Sequence, residues 1–308
     1  MATAASPSDR GTRLIGYACA VGAGTIWGTT GPLSTALYAR GAAITGIGFW
    51  RVSLGLLGLL LYGLTRRELF KVDRRGWLLV GLGGGALVAL FEVAYQYAIS
   101  GAGVAGAAAL LYTAPVIVAV LAGPILGERL SRLRLVLAVI VMVGAALTVR
   151  GGSTAGVAAS TSLVAGVAGG ALAALSYAGT TLLARFAVPR YGPARVLFLE
   201  IAGGVVVLAI VLPLAGRAPA LPASGGAWLY LLALAAGTVL AANVLFFNAA
   251  KRIDAAPTAV AATIEPVVAA LLALVLFSQR LSPTGWLGLL MVVFGVAGGY
   301  VEEAGGKA

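Results

Sequence analysis

Residues 112–131 read YTAPVIVAVLAGPILGERLS, and residues 263–282 read TIEPVVAALLALVLFSQRLS. The two stretches align without a gap at a constant offset of 151 positions, so that Pro115 falls on Pro266. The same offset extends the alignment to residues 97–144 and 248–295. The second half of the chain therefore repeats the first, and we divide the chain into residues 1–150 and 151–308.

The composition is that of a protein that crosses a membrane many times. Of the 308 residues, 60% are hydrophobic and 10% are charged, whereas soluble domains carry about 25% charged residues. A transmembrane helix needs roughly 20 mainly apolar residues. Ten such stretches are present, at residues 14–38, 44–64, 76–99, 103–122, 132–149, 162–185, 193–214, 227–250, 255–277 and 283–301. The sequence predicts an all-α membrane protein with ten transmembrane helices.

The number of spans in each half predicts how the two halves are related. Each half holds five spans. Because five is odd, the second half enters the membrane from the opposite side to the first. Two inverted five-helix repeats are typical of secondary transporters, in which the halves form the two faces of one alternating-access site.

The basic residues predict the orientation. The net charge is +11, but Lys and Arg lie mainly in short loops between spans. With the N-terminus inside, sixteen of the 21 basic residues face the cytoplasm and four face outwards. This positive-inside bias predicts that both termini are cytoplasmic. The same bias accounts for the high positive net charge, so no nucleic-acid partner is needed to explain it.

The chain lacks the residues that several kinds of chemistry require. There is no histidine and only one cysteine, so a zinc site of the common kind cannot form and no histidine base is present. No GxxxxGK[ST] motif for ATP binding occurs. We therefore expect no enzyme activity, no cofactor and no metal, and the sequence gives no sign of an obligate protein partner.

Four ionisable residues fall inside predicted spans: Arg51, Glu92, Glu200 and Glu265. The presence of each such residue calls for a structural or functional explanation, because inserting Asp, Lys or Arg at this depth costs roughly 2.5–3.5 kcal/mol. Arg51 and Glu200 lie near span ends, so we expect them to reach the membrane interface or to serve a structural role. Glu92 and Glu265 lie deeper and are the stronger candidates for a functional site.

Glu92 belongs to a polar and aromatic helix face. Tyr95 lies three residues further on, which places it on the same side of the helix. At the repeat offset these two positions fall on Asn243 and Phe246. Equivalent faces of two inverted helices would line a central cavity. The alternative is that the polar groups form interhelical hydrogen bonds and the aromatic rings pack in the core.

Glu265 directly precedes Pro266, midway along its span. Proline removes a helical hydrogen bond and clashes with the preceding turn, so kinks are predicted here and at Pro115. We predict that both prolines are hinges. The carboxylate beside the second kink could meet a substrate ammonium group or a proton, or it could be purely structural.

Aromatic residues near the middle of spans complete the candidate site. Trp27, Tyr112 and Tyr177 lie away from the span ends where membrane-interface aromatics are usual. Such rings suit an apolar or aromatic solute, although core packing is the alternative. The predicted substrate-binding residues are Trp27, Glu92, Tyr95, Tyr112, Tyr177, Asn243, Phe246 and Glu265.

At the end of each repeat the sequence resembles a known family, the EamA-type repeat of the drug/metabolite transporter superfamily. The residues that carry the resemblance are Trp27-Gly28, Pro115, the turn Gly127-Glu128-Arg129-Leu130-Ser131, Gly144, Pro266, the turn Ser278-Gln279-Arg280-Leu281-Ser282 and Gly295. In the second turn Ser278-Gln279 stands where the repeat usually has Gly-Glu. The resemblance covers nearly the whole chain as two five-helix repeats.

Residues 109–115, ALLYTAP, are similar to the bacterial amino-acid exporter branch, which includes the aromatic amino-acid exporters. This similarity implies an exporter of neutral or aromatic amino acids and related metabolites in the bacterial inner membrane. Its partners would be a small-molecule solute and membrane lipids. Two alternatives stay open: a proton-coupled exporter of cationic drugs that uses Glu92 or Glu265, and a non-transporting scaffold or lipid scramblase.

Overall fold

The computed structural model describes residues 7–126, 131–153, 161–221 and 224–305. Within these ranges all regular structure is helical, as the sequence predicts. The turn residues 127–130 and most of the linker between the halves, 154–160, lie outside the described residues.

The helices of the first half are α1 (Pro7–Trp27), α2 (Thr30–Tyr38), α3 (Ile44–Thr65), α4 (Arg74–Gly76), α5 (Gly85–Leu111), α6 (Ala114–Leu126) and α7 (Arg132–Gly151). Those of the second half are α8 (Leu163–Tyr191), α9 (Pro193–Leu214), α10 (Gly225–Leu234), α11 (Ala242–Ala250), α12 (Ala255–Ala262), α13 (Glu265–Phe277) and α14 (Pro283–Gly305). A 3-10 turn (Arg67–Phe70) follows α3. Two π-helices, Trp77–Gly84 and Ala235–Ala241, join α4 to α5 and α10 to α11.

In the described ranges, eight helical stretches are long and apolar enough to cross a membrane. One of them, Arg74–Leu121, has 48 residues, which is about twice the length that one crossing requires. It turns at Gly103, where φ is 74° and only glycine is unstrained. The backbone N–H of Val104 donates to Gln279 Oε1 across 3.0 Å and so holds this turn. With that stretch counted as two crossings and α1–α2 added, the arrangement agrees with the ten predicted spans.

The outer surface of the helices is apolar. Along α7, for example, Leu135, Val139 and Met142 are all exposed. Exposed apolar side chains in such numbers suit lipid as the surrounding medium.

Helices α7 and α14 occupy equivalent positions in the two repeats and run antiparallel. Arg134, near the start of α7, forms an ion pair with Glu302, near the end of α14. At the opposite ends, the Ser282 N–H donates to the Gly151 carbonyl across 2.9 Å. Antiparallel packing of equivalent helices is what inverted repeats require.

The equivalent helices α3 and α9 are likewise antiparallel. Arg195, at the start of α9, donates through Nε to the backbone carbonyl of Glu68, just after α3, across 2.7 Å. Beside it, Asp73 accepts hydrogen bonds from Tyr191 (2.7 Å) and Arg190 (2.5 Å). The Tyr191 hydrogen bond contributes most to holding the pKa of Asp73 below its ordinary value. This polar cluster fastens the two halves together at one end of the bundle.

Glycines allow α7 and α14 to touch backbone to backbone. A Cβ atom on Gly144 would lie 2.6 Å from the Gly288 carbonyl oxygen, and one on Gly288 would lie 2.5 Å from the Gly144 oxygen. Close approach through small residues is a main source of helix association in lipid.

We expect Gly288→Ala to lower the free energy of unfolding in detergent by about 1–3 kcal/mol, because the methyl group forces the helices apart. The matched control is Gly299→Ala in the same helix, where a Cβ would meet nothing within 4 Å. The control should be neutral or slightly stabilising, since alanine favours helix over glycine. Equal effects of the two changes would contradict the proposed importance of this contact.

Candidate functional site

A central cavity lies between the two halves and contains about 1440 Å³ of empty space, including the part open to solvent. The part of this space that a water-sized group can occupy is about 330 Å³, at the lower end of the roughly 300–1,000 Å³ typical of small-molecule sites, so a small solute has room here. The structure brings every residue predicted to bind substrate to this one cavity: Trp27, Glu92, Tyr95, Tyr112, Tyr177, Asn243, Phe246 and Glu265 all line it. Their role in binding remains a prediction.

The helices break at the two predicted proline sites. Pro115 and Pro266 are the second residues of α6 and α13, and the chain leaves the α-helix just before each of these helices. Proline has no N–H, so the carbonyl four residues earlier loses its helical partner. For Pro266 this carbonyl belongs to Ala262, and the Tyr112 hydroxyl lies 3.3 Å from it. The kinks are present, and their action as hinges remains a prediction.

A third break was not foreseen. The sequence analysis predicts one continuous helix over residues 14–38. In the structure α1 ends at Trp27 and α2 begins at Thr30. Pro32 explains this, because it leaves the Gly28 carbonyl without its usual donor. The break places Thr30 in the wall of the cavity.

The sequence analysis expected Arg51 either at the membrane interface or in a structural role. In the structure Arg51 does not lie at the interface. Its side chain is buried, and Nη1 lies 3.2 Å from Glu92 Oε2. Its Nε donates to Thr238 Oγ1, also at 3.2 Å. The side chains of Arg51 and Glu92 are only 9% and 4% exposed. The interfacial alternative was wrong because this face of α3 packs against α5 and the π-helix of the second half. The structural role, which the sequence analysis also allowed, stays a prediction.

That π-helix, Ala235–Ala241, offers backbone groups to the cavity. The Trp27 indole N–H donates to the Thr238 carbonyl across 3.0 Å, and the Trp27 ring packs 5.4 Å from the ring of Phe246. The Thr238 hydroxyl donates to the Leu234 carbonyl in turn. Single-turn π segments are often found at functional sites, and here one joins the two repeats.

Glu265 and Asn243 are held in different ways. The Tyr112 hydroxyl donates to Glu265 Oε2 across 3.0 Å, from the opposite repeat. Asn243 donates through Nδ2 to the Val239 carbonyl, one turn earlier in its own chain segment. Glu92 therefore forms an interhelical contact, with Arg51, as the alternative interpretation proposed. Asn243 instead forms its hydrogen bond within its own helix.

Glu200 was also expected at the periphery or in a structural role, and the structure instead places it in the cavity wall. Its Oε1 atom is buried and has no hydrogen-bond partner among the described residues. The sequence could not show this, because the position of Glu200 along α9 does not reveal which helices cover it.

The aromatic wall is larger than predicted. Phe91 stacks on Tyr95, with ring centres 5.4 Å apart and planes at 14°, and also approaches Tyr177. Phe247 and Tyr300 line the cavity as well. Phe91 could have been found from its spacing of four residues from Tyr95, whereas nothing in the sequence distinguishes Tyr300 from an aromatic residue at the membrane interface.

A second cavity, with about 810 Å³ of empty space, adjoins the first between α6, α7, α8 and α14. The two cavities share Pro115, Tyr177 and Tyr300 in their walls. The second cavity extends towards the end of the bundle that carries Arg134 and Arg185. Its lining therefore extends from the wall of the central cavity towards one face of the protein.

Two repeated helical units, kinked around a shared polar and aromatic cavity, define an integral membrane protein with the architecture of a secondary transporter. Residues 14–150 and 164–300 each match the model of the EamA-like transporter family. The chain belongs to this family.

Individual relatives agree with this assignment. An uncharacterized transporter of Archaeoglobus fulgidus is 29% identical over 80% of this chain and 83% of its own length. The uncharacterized transporter YwfM of Bacillus subtilis is 27% identical over 88% of each chain. A solved crystal structure shares the fold with a TM-score of 0.61 at 21% identity, covering 94% of this chain and 96% of that one.

Removing one member of the buried ion pair should be costly. We expect Arg51→Met to destabilise the protein by about 3–5 kcal/mol, because it leaves the Glu92 carboxylate buried without a countercharge. The double variant Arg51→Met/Glu92→Met should recover most of that loss in detergent unfolding experiments.

The control for this prediction is Lys71→Met, which breaks an ion pair with Glu68 whose side chains are 68% and 66% exposed. It should change stability by no more than about 1 kcal/mol. A double variant as unstable as Arg51→Met would show that packing, not the unpaired charge, explains the loss.

Proposed function

We propose that the protein exports zwitterionic amino acids with neutral, apolar or aromatic side chains across the bacterial inner membrane by alternating access. The observation that carries this proposal is the set of side chains that line the central cavity. One guanidinium group, three carboxyl groups and a wall of aromatic rings face the same space.

The charged groups can match both ends of an amino acid. A guanidinium group has five N–H donors, and the contacts seen for Arg51 use Nε and Nη1. The remaining donors can bind a carboxylate, which is the usual partner of arginine. Glu200 and Glu265 can accept hydrogen bonds from an ammonium group. A solute that carries both charges is therefore satisfied at both ends.

The broken helices support carboxylate binding. The N-terminal end of a helix carries partial positive charge from its unpaired N–H groups. Helix α6 begins at the cavity, where Ala114 follows the break and Pro115 lines the wall. Transporters of the inverted-repeat kind commonly direct such half-helix ends at an anionic group of the substrate.

The rings supply the apolar part of the site. Trp27, Tyr95, Tyr177 and Phe246 present faces and edges that favour contact with another ring or an aliphatic chain. Aromatic and large apolar amino acids are therefore the preferred members of the class.

The arrangement of contacts supports alternating access. At the end of the bundle away from Arg134, Trp50 packs against Trp228 with ring centres 5.4 Å apart, and Arg217 donates to the Tyr97 hydroxyl. The second cavity leads towards the other end. With the orientation predicted from the basic residues, this conformation is open to the cytoplasm, and rocking at the kinks would open the opposite end.

One observation favours a second candidate function, the export of cationic drugs. Among the described residues that line the cavity, three are glutamates and one is an arginine. An excess of carboxylates suits a solute with positive charge and no carboxylate. The solute panel below distinguishes the two candidates.

We expect purified protein in liposomes to carry labelled phenylalanine or tryptophan in counterflow, and to carry the methyl ester or the deaminated acid poorly. Preference for the ester would favour the cationic-drug alternative. Absence of movement for every solute would favour the non-transporting scaffold or scramblase and contradict the proposal.

A matched pair of variants tests the site. Asn243 and Asn248 each donate to the carbonyl four residues earlier, but only Asn243 belongs to the cavity wall. We expect Asn243→Ala to slow counterflow roughly five- to tenfold, the equivalent of about 1–1.4 kcal/mol for one lost polar contact. Asn248→Ala should leave the rate unchanged. Equal rates in both variants would remove Asn243 from the site.

A further inference from the structure

The three carboxyl groups in the cavity are not equivalent. Glu92 faces the Arg51 guanidinium at 3.2 Å, and Glu265 accepts the hydrogen bond from the Tyr112 hydroxyl at 3.0 Å. Glu200 lines the same cavity, but its Oε1 is buried without a hydrogen-bond partner among the described residues. It is therefore the carboxyl group whose binding capacity the protein leaves unused.

Among the described residues, none forms an ion pair with Glu200. Helix α9 packs against α3, α5, α8 and the π-helix Trp77–Gly84, and near its start it also contacts the 3-10 turn Arg67–Phe70, which carries Arg67 and Glu68. That π-helix contains no ionisable residue. The charged and titratable groups that share the cavity are Arg51 on α3, Glu92 and Tyr95 on α5, Tyr112 after α5, Tyr177 on α8, Glu265 on α13 and Tyr300 on α14. Arg51 is the one cation among the described lining residues, and it is held by Glu92 and Thr238.

An ionised carboxylate in this position lacks the hydrogen bonds and countercharge that it has in water, which makes it costly. Two species can relieve that cost. A proton neutralises the group, and an ammonium group supplies both charge and hydrogen-bond donors. Because either species occupies the same oxygen atoms, only one of them can be bound at a time.

We propose that Glu200 is the coupling site of the transporter, where a proton and the ammonium group of the solute bind in turn. On the cytoplasmic side the protonated Glu200 releases its proton to the water, and the carboxylate that results accepts the ammonium group. After the solute leaves, Glu200 takes one proton from the water on the outer side. One proton thus moves inwards for each solute exported, and no other bond forms or breaks.

The ion pair explains why Glu92 is the weaker candidate for this role. Protonating Glu92 would leave the buried Arg51 charge without its partner, and breaking a buried pair is strongly unfavourable. Glu265 accepts the hydrogen bond from Tyr112, and this bond would weaken on protonation, because a charged acceptor binds a donor more strongly than a neutral one. Glu200 can gain or lose a proton without breaking a contact seen in the structure.

The identity of the solute rests on the proposed function, so the first test avoids transport. A hydrophobic carbodiimide modifies carboxyl groups in apolar surroundings when they are protonated, since the carboxyl proton moves to its nitrogen as the oxygen bonds to its carbon. We expect mass spectrometry of the solubilised wild-type protein to show labelling at Glu200, which is lost as the pH rises and is blocked by phenylalanine methyl ester. Labelling of Glu92 or Glu265 in preference to Glu200 would overturn the proposal.

The second test measures coupling in liposomes that contain a pH-sensitive dye. In the wild-type protein, a phenylalanine gradient should drive a proton flux in the opposite direction. Glu200→Gln should abolish this flux, because the amide can neither take up a proton nor form an ion pair with the ammonium group. The control Glu302→Gln removes a carboxyl group that lies outside both cavities and should keep the flux.

The outcomes separate the two proposals. Exchange of phenylalanine without any proton flux in the wild-type protein, or an unchanged flux in Glu200→Gln, overturns the role of Glu200 and leaves the amino-acid proposal standing. Labelling of Glu200 that depends on pH, in a protein that moves no amino acid, overturns the amino-acid proposal and supports Glu200 as the proton site.

Discussion

The hydrocarbon of a membrane offers no hydrogen-bond partners, so a polar group at that depth is costly unless it finds a partner within the protein. Three contacts show how the chain meets this constraint. The carbonyl freed by Pro266 lies beside the Tyr112 hydroxyl, the Trp27 indole donates to the π-helix at Thr238, and Arg51 binds both Glu92 and Thr238. All three contacts join one repeat to the other or one helix to the next. These contacts, several of them at points where a helix is interrupted, hold the bundle together around its cavity.

A repeated scaffold need not produce a symmetric site. Helices α7 and α14 keep the repeat closely: Gly144 and its equivalent Gly295 each face the other helix, where a Cβ atom would lie 2.6 Å from the Gly288 oxygen and 2.7 Å from Val141, respectively. In the cavity the equivalent positions differ, since Glu92 corresponds to Asn243 and Glu265 to Ala114. Inversion then places acidic groups unevenly around the cavity. An asymmetric solute with one ammonium end, one carboxylate end and an apolar side chain can bind such a site in a single orientation. In the proposed mechanism, the repeat supplies the motion and the differences between the repeats supply the selectivity.

Much of the fold and part of the site follow from the sequence. The apolar spans, the repeat offset and the two prolines predict helices and kinks that the structure contains, because these depend on local chemistry and on the length of a membrane crossing. The spacing of Glu92 and Tyr95, and of Asn243 and Phe246, places each pair on one helix face. A helix with one polar face in lipid must turn that face inwards, so these residues line the cavity. The place of Glu265 in the cavity could be predicted from its position beside a kink.

Only the tertiary structure decided the remaining features. Arg51 and Glu200 lie close enough to span ends to reach the interface, and the sequence does not reveal that α3 and α9 are covered by other helices there. Tyr300 stands near the end of its span and still lines both cavities. The reason is physical: the period of a helix states which residues share a face, but the helices that meet that face are set by packing between segments far apart in the chain. The local chemistry of the chain determined the elements, and the packing of two inverted halves determined which charges met.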